Sequence, residues 1–162
     1  MQNIVLIGMP GAGKSTVGVL LAKVTFRAFV DTDLVIQAAE GRRLQDIIDR
    51  RGMEVFRALE ERYVLALAPE NAVIATGGSV VYSNQAMAHL RKNAAVVFLD
   101  VPLNVLEKRL TDTATRGIVA GPGQGLQALY EERLPLYRRY ADLVVDCGGQ
   151  GHEDVVAMVL GN

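Results

Sequence analysis

The sequence predicts an α/β fold in three layers, a five-stranded parallel sheet flanked by helices. Three observations carry this prediction. Five short apolar runs, Ile4–Ile7, Ala28–Val30, Ala72–Ala75, Ala95–Leu99 and Leu143–Val145, lack polar alternation. Strands of that kind are covered on both faces, as in parallel sheets. Segments with helical spacing lie between the runs, as crossover connections require. Finally, Gly8-Met9-Pro10-Gly11-Ala12-Gly13-Lys14-Ser15 completes the pattern G-x-x-x-x-G-K-[ST] directly after the first run. A chance match in a chain this long is expected in about one sequence in two hundred. The pattern therefore marks a nucleotide site before any other residue is considered.

Asn3-Ile4-Val5-Leu6-Ile7 reads as the first buried strand, and Ser15 to Lys23 as the helix that follows its loop. Glycines let the loop turn tightly, so that main-chain N–H groups face phosphate oxygens. The helix N-terminus adds the positive end of its dipole. Lys14 would reach the β- and γ-phosphates of ATP, and the Ser15 hydroxyl would bind Mg²⁺. The second run ends in Asp31-Thr32-Asp33. In extended backbone these two carboxylates point the same way. One would hold metal-bound water and the other would accept a proton from an attacking hydroxyl. A helix cap is the equal alternative, with Asp33 ahead of Leu34-Val35-Ile36.

Helical spacing continues over Leu34–Ala39, Leu44–Arg50 and Met53–Ala68. The third run ends in Thr76-Gly77-Gly78-Ser79, where absent side chains permit close approach to a ligand. A helix over Asn84–Arg91 leads to the fourth run, which ends in Asp100. Pro102 follows, and Leu103–Leu110 has helical spacing, so Asp100 is read as part of the turn before that helix. Between Thr111 and Gly125, four glycines and one proline surround Arg116. A mobile loop carrying an arginine suits a lid over a transferring phosphoryl group. Helices over Leu126–Tyr140 and Glu153–Leu160 complete the chain. In such a sheet the ligand sits at the C-terminal strand ends, so all four run endings should meet along one edge.

Composition narrows the function classes. Half of the 162 residues are hydrophobic and the formal net charge is −1, which leaves no basic footprint for nucleic acid. No apolar run is long enough to span a membrane. No secretory leader is expected at the N-terminus. Cys147 is the single cysteine, which fits a reducing cytoplasm and reads as a small apolar filler. His89 and His152 lack nearby metal-type partners in sequence and are read as surface residues. There is no repeat and no linker, so one domain over 1–162 is expected.

Taken together, these residues resemble shikimate kinase. The family pattern is a phosphate loop, D-x-D, F-R-x-x-E, a G-G-G turn, an arginine lid and R-x-x-L-Y. This chain has Gly8–Ser15, Asp31-Thr32-Asp33, Phe56-Arg57-Ala58-Leu59-Glu60, Thr76-Gly77-Gly78, Arg116, and Arg133-Leu134-Pro135-Leu136-Tyr137. Order and spacing agree along nearly the whole chain. The resemblance implies a P-loop kinase fold with an acceptor-binding segment over about 31–62 and a lid over about 111–125. It implies ATP-dependent phosphorylation of the 3-hydroxyl of shikimate, in a monomer. Gly11, Ala12, Gly13, Lys14, Ser15 and Thr16 would bind the ATP phosphates, with Ser15 on Mg²⁺ and Asp31 holding the metal through water. Asp33, Lys14 and Arg116 would be catalytic, Asp33 as the base. Arg57 and Arg133 would hold the substrate carboxylate, with Gly78 and Ser79 in the same pocket and Glu60 orienting Arg57. Arg109 would lie near the adenine. Without the resemblance, Arg57 would be read as a surface pair with Glu61, and Arg133 as a pair with a neighbouring glutamate.

Two positions depart from the family pattern. Ser79 stands where a third glycine is usual, and would carry strain if that position needs positive φ. Arg116-Gly117-Ile118-Val119 replaces R-P-L-L, and glycine for proline frees the hinge. Both departures touch acceptor handling. They leave open a related kinase for another small hydroxylated acid, or a nucleotide-binding protein without catalysis.

Overall fold

The computed structural model describes residues 2–111 and 125–161. Five parallel strands form one sheet in the order β2-β3-β1-β4-β5. They are β1 (Asn3–Ile7), β2 (Ala28–Asp31), β3 (Ala72–Ala75), β4 (Ala94–Asp100) and β5 (Leu143–Asp146). The expected runs all became strands. The central strand β1 aligns Val5 with Ile74 of β3 on one side and with Val96 of β4 on the other. These strands read as uninterrupted apolar sequence because both faces are covered: Val5, Leu6, Ile7, Val73, Val96 and Leu99 are fully buried.

The helices are α1 (Lys14–Thr25), α2 (Thr32–Glu40), α3 (Leu44–Arg51), α4 (Met53–Ala66), α5 (Asn84–Arg91), α6 (Leu103–Thr111), α7 (Leu126–Tyr140) and α8 (His152–Leu160). A 3₁₀ turn, Val80–Tyr82, follows β3. The crossover from β1 to β2 runs across the sheet in the opposite direction to the others. Right-handed crossovers therefore put α1 on one face, and α4, α5 and α7 on the other. The contacts of α1 with α8, and of α4 with α5, agree with this layering. The reversal falls between β1 and β3, so the chain segments leaving those two strands open a crevice between them. The phosphate loop leaves β1, and Thr76-Gly77-Gly78 leaves β3.

The core has two parts. The larger spans the sheet and its helices, and includes Leu21, Met87, Phe98, Leu129 and Tyr137. The smaller joins α2, α3 and α4 through Ile36, Leu44, Ile47, Phe56 and Leu59. Helix α2 is capped by Asp31, whose Oδ1 accepts from the N–H groups of Asp33 at 3.0 Å and Leu34 at 3.2 Å. The capping role thus belongs to Asp31 rather than to Asp33. Since Asp33 already sits in α2, the pair does not share an extended backbone. Among the described residues, no helix is long and apolar enough to cross a membrane.

Candidate active site

Main-chain geometry shapes the loop between β1 and α1. Gly11 and Gly13 have φ of 82° and 94°, a region closed to most side chains, and Gly13 caps α1. Lys14 is buried, and its Nζ donates to the carbonyls of Gly8 at 2.6 Å and Met9 at 2.8 Å. The loop thereby holds its ammonium beside Gly11, Gly13, Ser15 and Thr16, which line the cleft with it, while the Ala12 N–H donates to the Met9 carbonyl at 3.1 Å. Ser15 Oγ donates to Asp31 Oδ2 at 2.6 Å, joining the first turn of α1 to the end of β2. A hydroxyl and a carboxylate so close form a hard-oxygen donor pair that fits Mg²⁺, a metal that keeps most of its shell for water and phosphate.

A cleft of about 680 Å³ opens over this loop, lined by Gly13, Lys14, Ser15, Thr16, Asp33 and Gly78 among others. Arg109 of α6 also lines it, with Nη1 donating to the Gly11 carbonyl at 2.9 Å. His152, the first residue of α8, faces the loop from the same side. A Cβ built on Gly13 would lie 3.1 Å from its Nε2. From sequence alone His152 is expected on the surface. It is exposed, yet it forms a wall of the cleft because β5 ends at the same sheet edge as β1. The rule that selected the other strand ends, extended to the fifth, finds this residue.

Across the crevice, the turn after β3 brings the acceptor-side residues together. Thr76 Oγ1 donates to the Leu6 carbonyl at 2.8 Å, tying the turn to β1. The Gly77 N–H donates to Thr32 Oγ1 at 3.1 Å, tying it to α2. A Cβ on Gly77 would lie 2.6 Å from Glu60 Oε2 and 2.7 Å from Asp33 Oδ1. Two carboxylates therefore press against one glycine, their oxygens no more than about 5 Å apart. Both of these oxygens are buried and accept no hydrogen bond from the described residues. A Cβ on Gly78 would lie 2.8 Å from Arg133 Nη1 and 3.0 Å from Pro10 Cδ. A side chain at either glycine would therefore displace the groups that pack on it. Tyr137 closes the assembly, its hydroxyl donating to the Gly78 carbonyl at 2.7 Å and its ring stacked on Phe98.

Electrostatics follow from this crowding. Burial pushes the Asp33 carboxyl up to about 6, with Lys14 opposing and Asp31 adding to the rise. Burial also pushes Glu60 up to about 7; its bond from Ser79 opposes the rise, and nearby Asp33 reinforces it. Arg133 and Arg57 also oppose the rise, which puts both guanidiniums within the field of Glu60. Ser79 takes an ordinary helical conformation, φ −95° and ψ −1°, so serine carries no backbone strain there. Its hydroxyl is buried and donates to Glu60 Oε1 at 2.6 Å.

Arg133 is completely buried, and its Nε donates to the Tyr82 hydroxyl at 3.2 Å. Arg57 is exposed and lies over the Tyr82 ring, 4.2 Å from its centroid, while Glu61 accepts instead from Ser83 Oγ. Arg57 and Arg133 thus share one locus at Tyr82, a residue outside every motif of the sequence. Nothing local marks it: a half-buried tyrosine in a short turn has no pattern of its own. Asp100 ends β4 beside Asp146 and does not line the cleft. Cys147 is buried, with its thiol pushed up to about 11, so it is an inert filler. Arg116 lies outside the described residues.

A phosphate loop facing buried carboxylates across one crevice, with one buried and one exposed guanidinium beside them, is the make-up of a P-loop phosphotransferase for small molecules. The model of the family described as shikimate kinase matches residues 10–161. A shikimate kinase of Thermodesulfovibrio yellowstonii is 37% identical over 99% of this chain and 94% of its own. One of Synechococcus sp. is 41% identical over 98% and 82%. Among solved structures, shikimate kinase from Acinetobacter baumannii in complex with shikimate superposes with a TM-score of 0.86 at 29% identity, covering 100% of this chain and 94% of that one. The chain belongs to the shikimate kinase family. It is accordingly an ATP- and Mg²⁺-dependent phosphotransferase with an alcohol group as acceptor.

Proposed function

We propose that the chain transfers the γ-phosphoryl group of ATP to the 3-hydroxyl of shikimate. The observation that carries this reading is the turn Gly77-Gly78, which has the raised Asp33 carboxyl against one residue and the Arg133 guanidinium against the other. A general base and an acid-binding cation are thereby held one residue apart, beside Lys14.

In this reading Arg133 and Arg57 hold the acceptor carboxylate, since planar guanidiniums match a carboxylate in two-point contact. The Asp33 carboxylate, which lines the cleft, accepts the hydrogen bond of the acceptor hydroxyl. The new O–P bond forms as the bond to the β-phosphate oxygen breaks, and the hydroxyl proton passes to Asp33. A base near 6 is ionised at neutral pH yet basic enough to take that proton. Lys14 and the N–H groups of Gly11, Gly13, Ser15 and Thr16 hold the phosphates, the Ala12 N–H being taken by the Met9 carbonyl, and Arg109 borders the nucleotide base. Mg²⁺, held by Ser15 and through water by Asp31, would neutralise phosphate charge. Glu60, held by Ser79, sets Arg57 and Arg133, and Arg116, in the lid segment 111–125 and outside the described residues, is assigned to the ATP phosphates. The acceptor segment is 31–62 within one domain.

The altered position favours one second reading. Ser79 places a buried Cβ and hydroxyl where the family pattern has glycine, which motivates a related kinase for another small hydroxylated acid as the alternative. A coupled ADP-release assay across cyclic and open-chain hydroxy acids, with and without an amino group, separates the two. Shikimate should exceed every other acid in kcat/KM. No shikimate-dependent turnover at millimolar concentration would overturn the assignment. A monomer in the cytoplasm completes the proposal. Light scattering should give about 17.5 kDa, and the single cysteine supports a reducing compartment.

A further inference from the structure

Two guanidiniums gathered for one carboxylate repel each other until the ligand arrives, so something else must hold them in place. Both lie over the same aromatic ring: Arg57 Cζ is 4.2 Å and Arg133 Cζ 5.2 Å from the Tyr82 centroid. The two cations are therefore no more than about 9 Å apart, each drawn to the electron-rich π-system. The Tyr82 hydroxyl accepts from Arg133 Nε at 3.2 Å and donates to Glu132 Oε2 at 3.1 Å, which uses its single proton and one lone pair. The ring itself is immobilised. On one side of it Ser79 donates to Glu60, and on the other Ser83 donates to Glu61, so two successive carboxylates of α4 grip the turn that carries Tyr82. Tyr137 of α7 holds the same turn through the Gly78 carbonyl.

We propose that Tyr82 is a positioning residue for the acceptor: it sets the spacing and orientation of Arg57 and Arg133, and so selects acids whose carboxylate fits that spacing. This rests on the reading of those arginines as the carboxylate-binding pair. An apolar residue at 82 would keep the turn but leave both guanidiniums without their shared ring. The effect belongs to acid binding alone, because Tyr82 does not line the cleft over the phosphate loop.

The test compares wild type, Tyr82→Phe, Tyr82→Leu and Tyr82→Met with the acid that the wild type phosphorylates best. Tyr82→Leu should raise KM for the acid about tenfold, with kcat and KM for ATP within about threefold. Tyr82→Phe keeps the ring and should restore most of that loss, to within about threefold of wild type. The preference of the wild type for the acid over its neutral carboxamide should shrink in Tyr82→Leu. Tyr82→Met repeats the measurement if the leucine variant does not fold. An unchanged acid KM in the apolar variants, an equal rise in both KM values, or identical losses in Phe and Leu would overturn the proposal. A wrong acceptor assignment shows separately, as wild type that ignores shikimate but turns over another acid. A wild type that phosphorylates no acid overturns both readings.

Discussion

On the nucleotide side of the cleft, consecutive residues Gly8–Ser15 form the grip largely from main-chain groups, and the large sheet core backs them directly. On the acceptor side, Asp33, Arg57, Glu60, Ser79, Tyr82 and Arg133 come from α2, α4, the turn after β3 and α7. There the grip is made of side chains, and α2 and α4 lean on a small satellite core. Amides in a tight loop are fixed by backbone geometry and tolerate any neighbour that respects it. Side chains from four elements must be fixed by each other, through Ser79 on Glu60, Tyr82 on two arginines and Tyr137 on Gly78. The contrast teaches where specificity can change: the first grip binds every substrate of the class, and the second decides the acceptor.

The contrast is broken most severely at Asp33. Asp33→Asn should lower kcat by about 10²- to 10⁴-fold, the range of a positioned acid or base, while ATP binding persists. The wild-type kcat/KM should also fall on acidification with a midpoint near 6, as Asp33 takes up its proton, and this limb should vanish in the residual activity of the variant. Arg133→Ala comes next. Loss of charge-assisted contacts should raise KM for the acid roughly 10- to 100-fold with KM for ATP nearly unchanged. An equal rise in both would show that the two sides are not separable.

Gly77→Ala should cost about tenfold to a hundredfold in kcat, because its Cβ would displace Glu60 Oε2 and Asp33 Oδ1 from 2.6 and 2.7 Å. The KM for ATP should again hold, and an alanine variant with wild-type kcat would refute the packing argument. The smallest effect is on stability. Because burial raises Glu60 to about 7, the folded chain holds a proton that the unfolded chain has released, and stability declines as pH rises through that window. Glu60→Gln cannot ionise, so its melting temperature should gain on wild type by a few degrees between about pH 5 and about pH 8. A gap that does not change with pH would contradict the raised carboxyl.

What could be read from the sequence differs between these two sides in the same way. All five apolar runs became strands, and the phosphate loop joins β1 to α1 as its pattern requires. Asp33, Arg57 and Arg133 were nameable only through the order of several motifs, since each alone also fitted a cap or a surface ion pair. The departure at Ser79 was visible, but not its outcome, because φ and the Glu60 partner depend on how α4 packs on the turn. Tyr82 carried no pattern at all, and His152 only its place after the fifth strand.

The sequence by itself determined the parallel sheet, the helices and the triphosphate loop, because apolar runs and a contiguous glycine-rich loop are properties of neighbouring residues. Only the tertiary structure decided which carboxylates share the buried space at Gly77, which hydroxyl holds Glu60 and which ring gathers the two arginines. Those partners lie up to 51 residues apart, as for Tyr82 and Arg133. Long-range contacts of that kind are set by the crossing of β3 and α4 with α7, and no local periodicity encodes them.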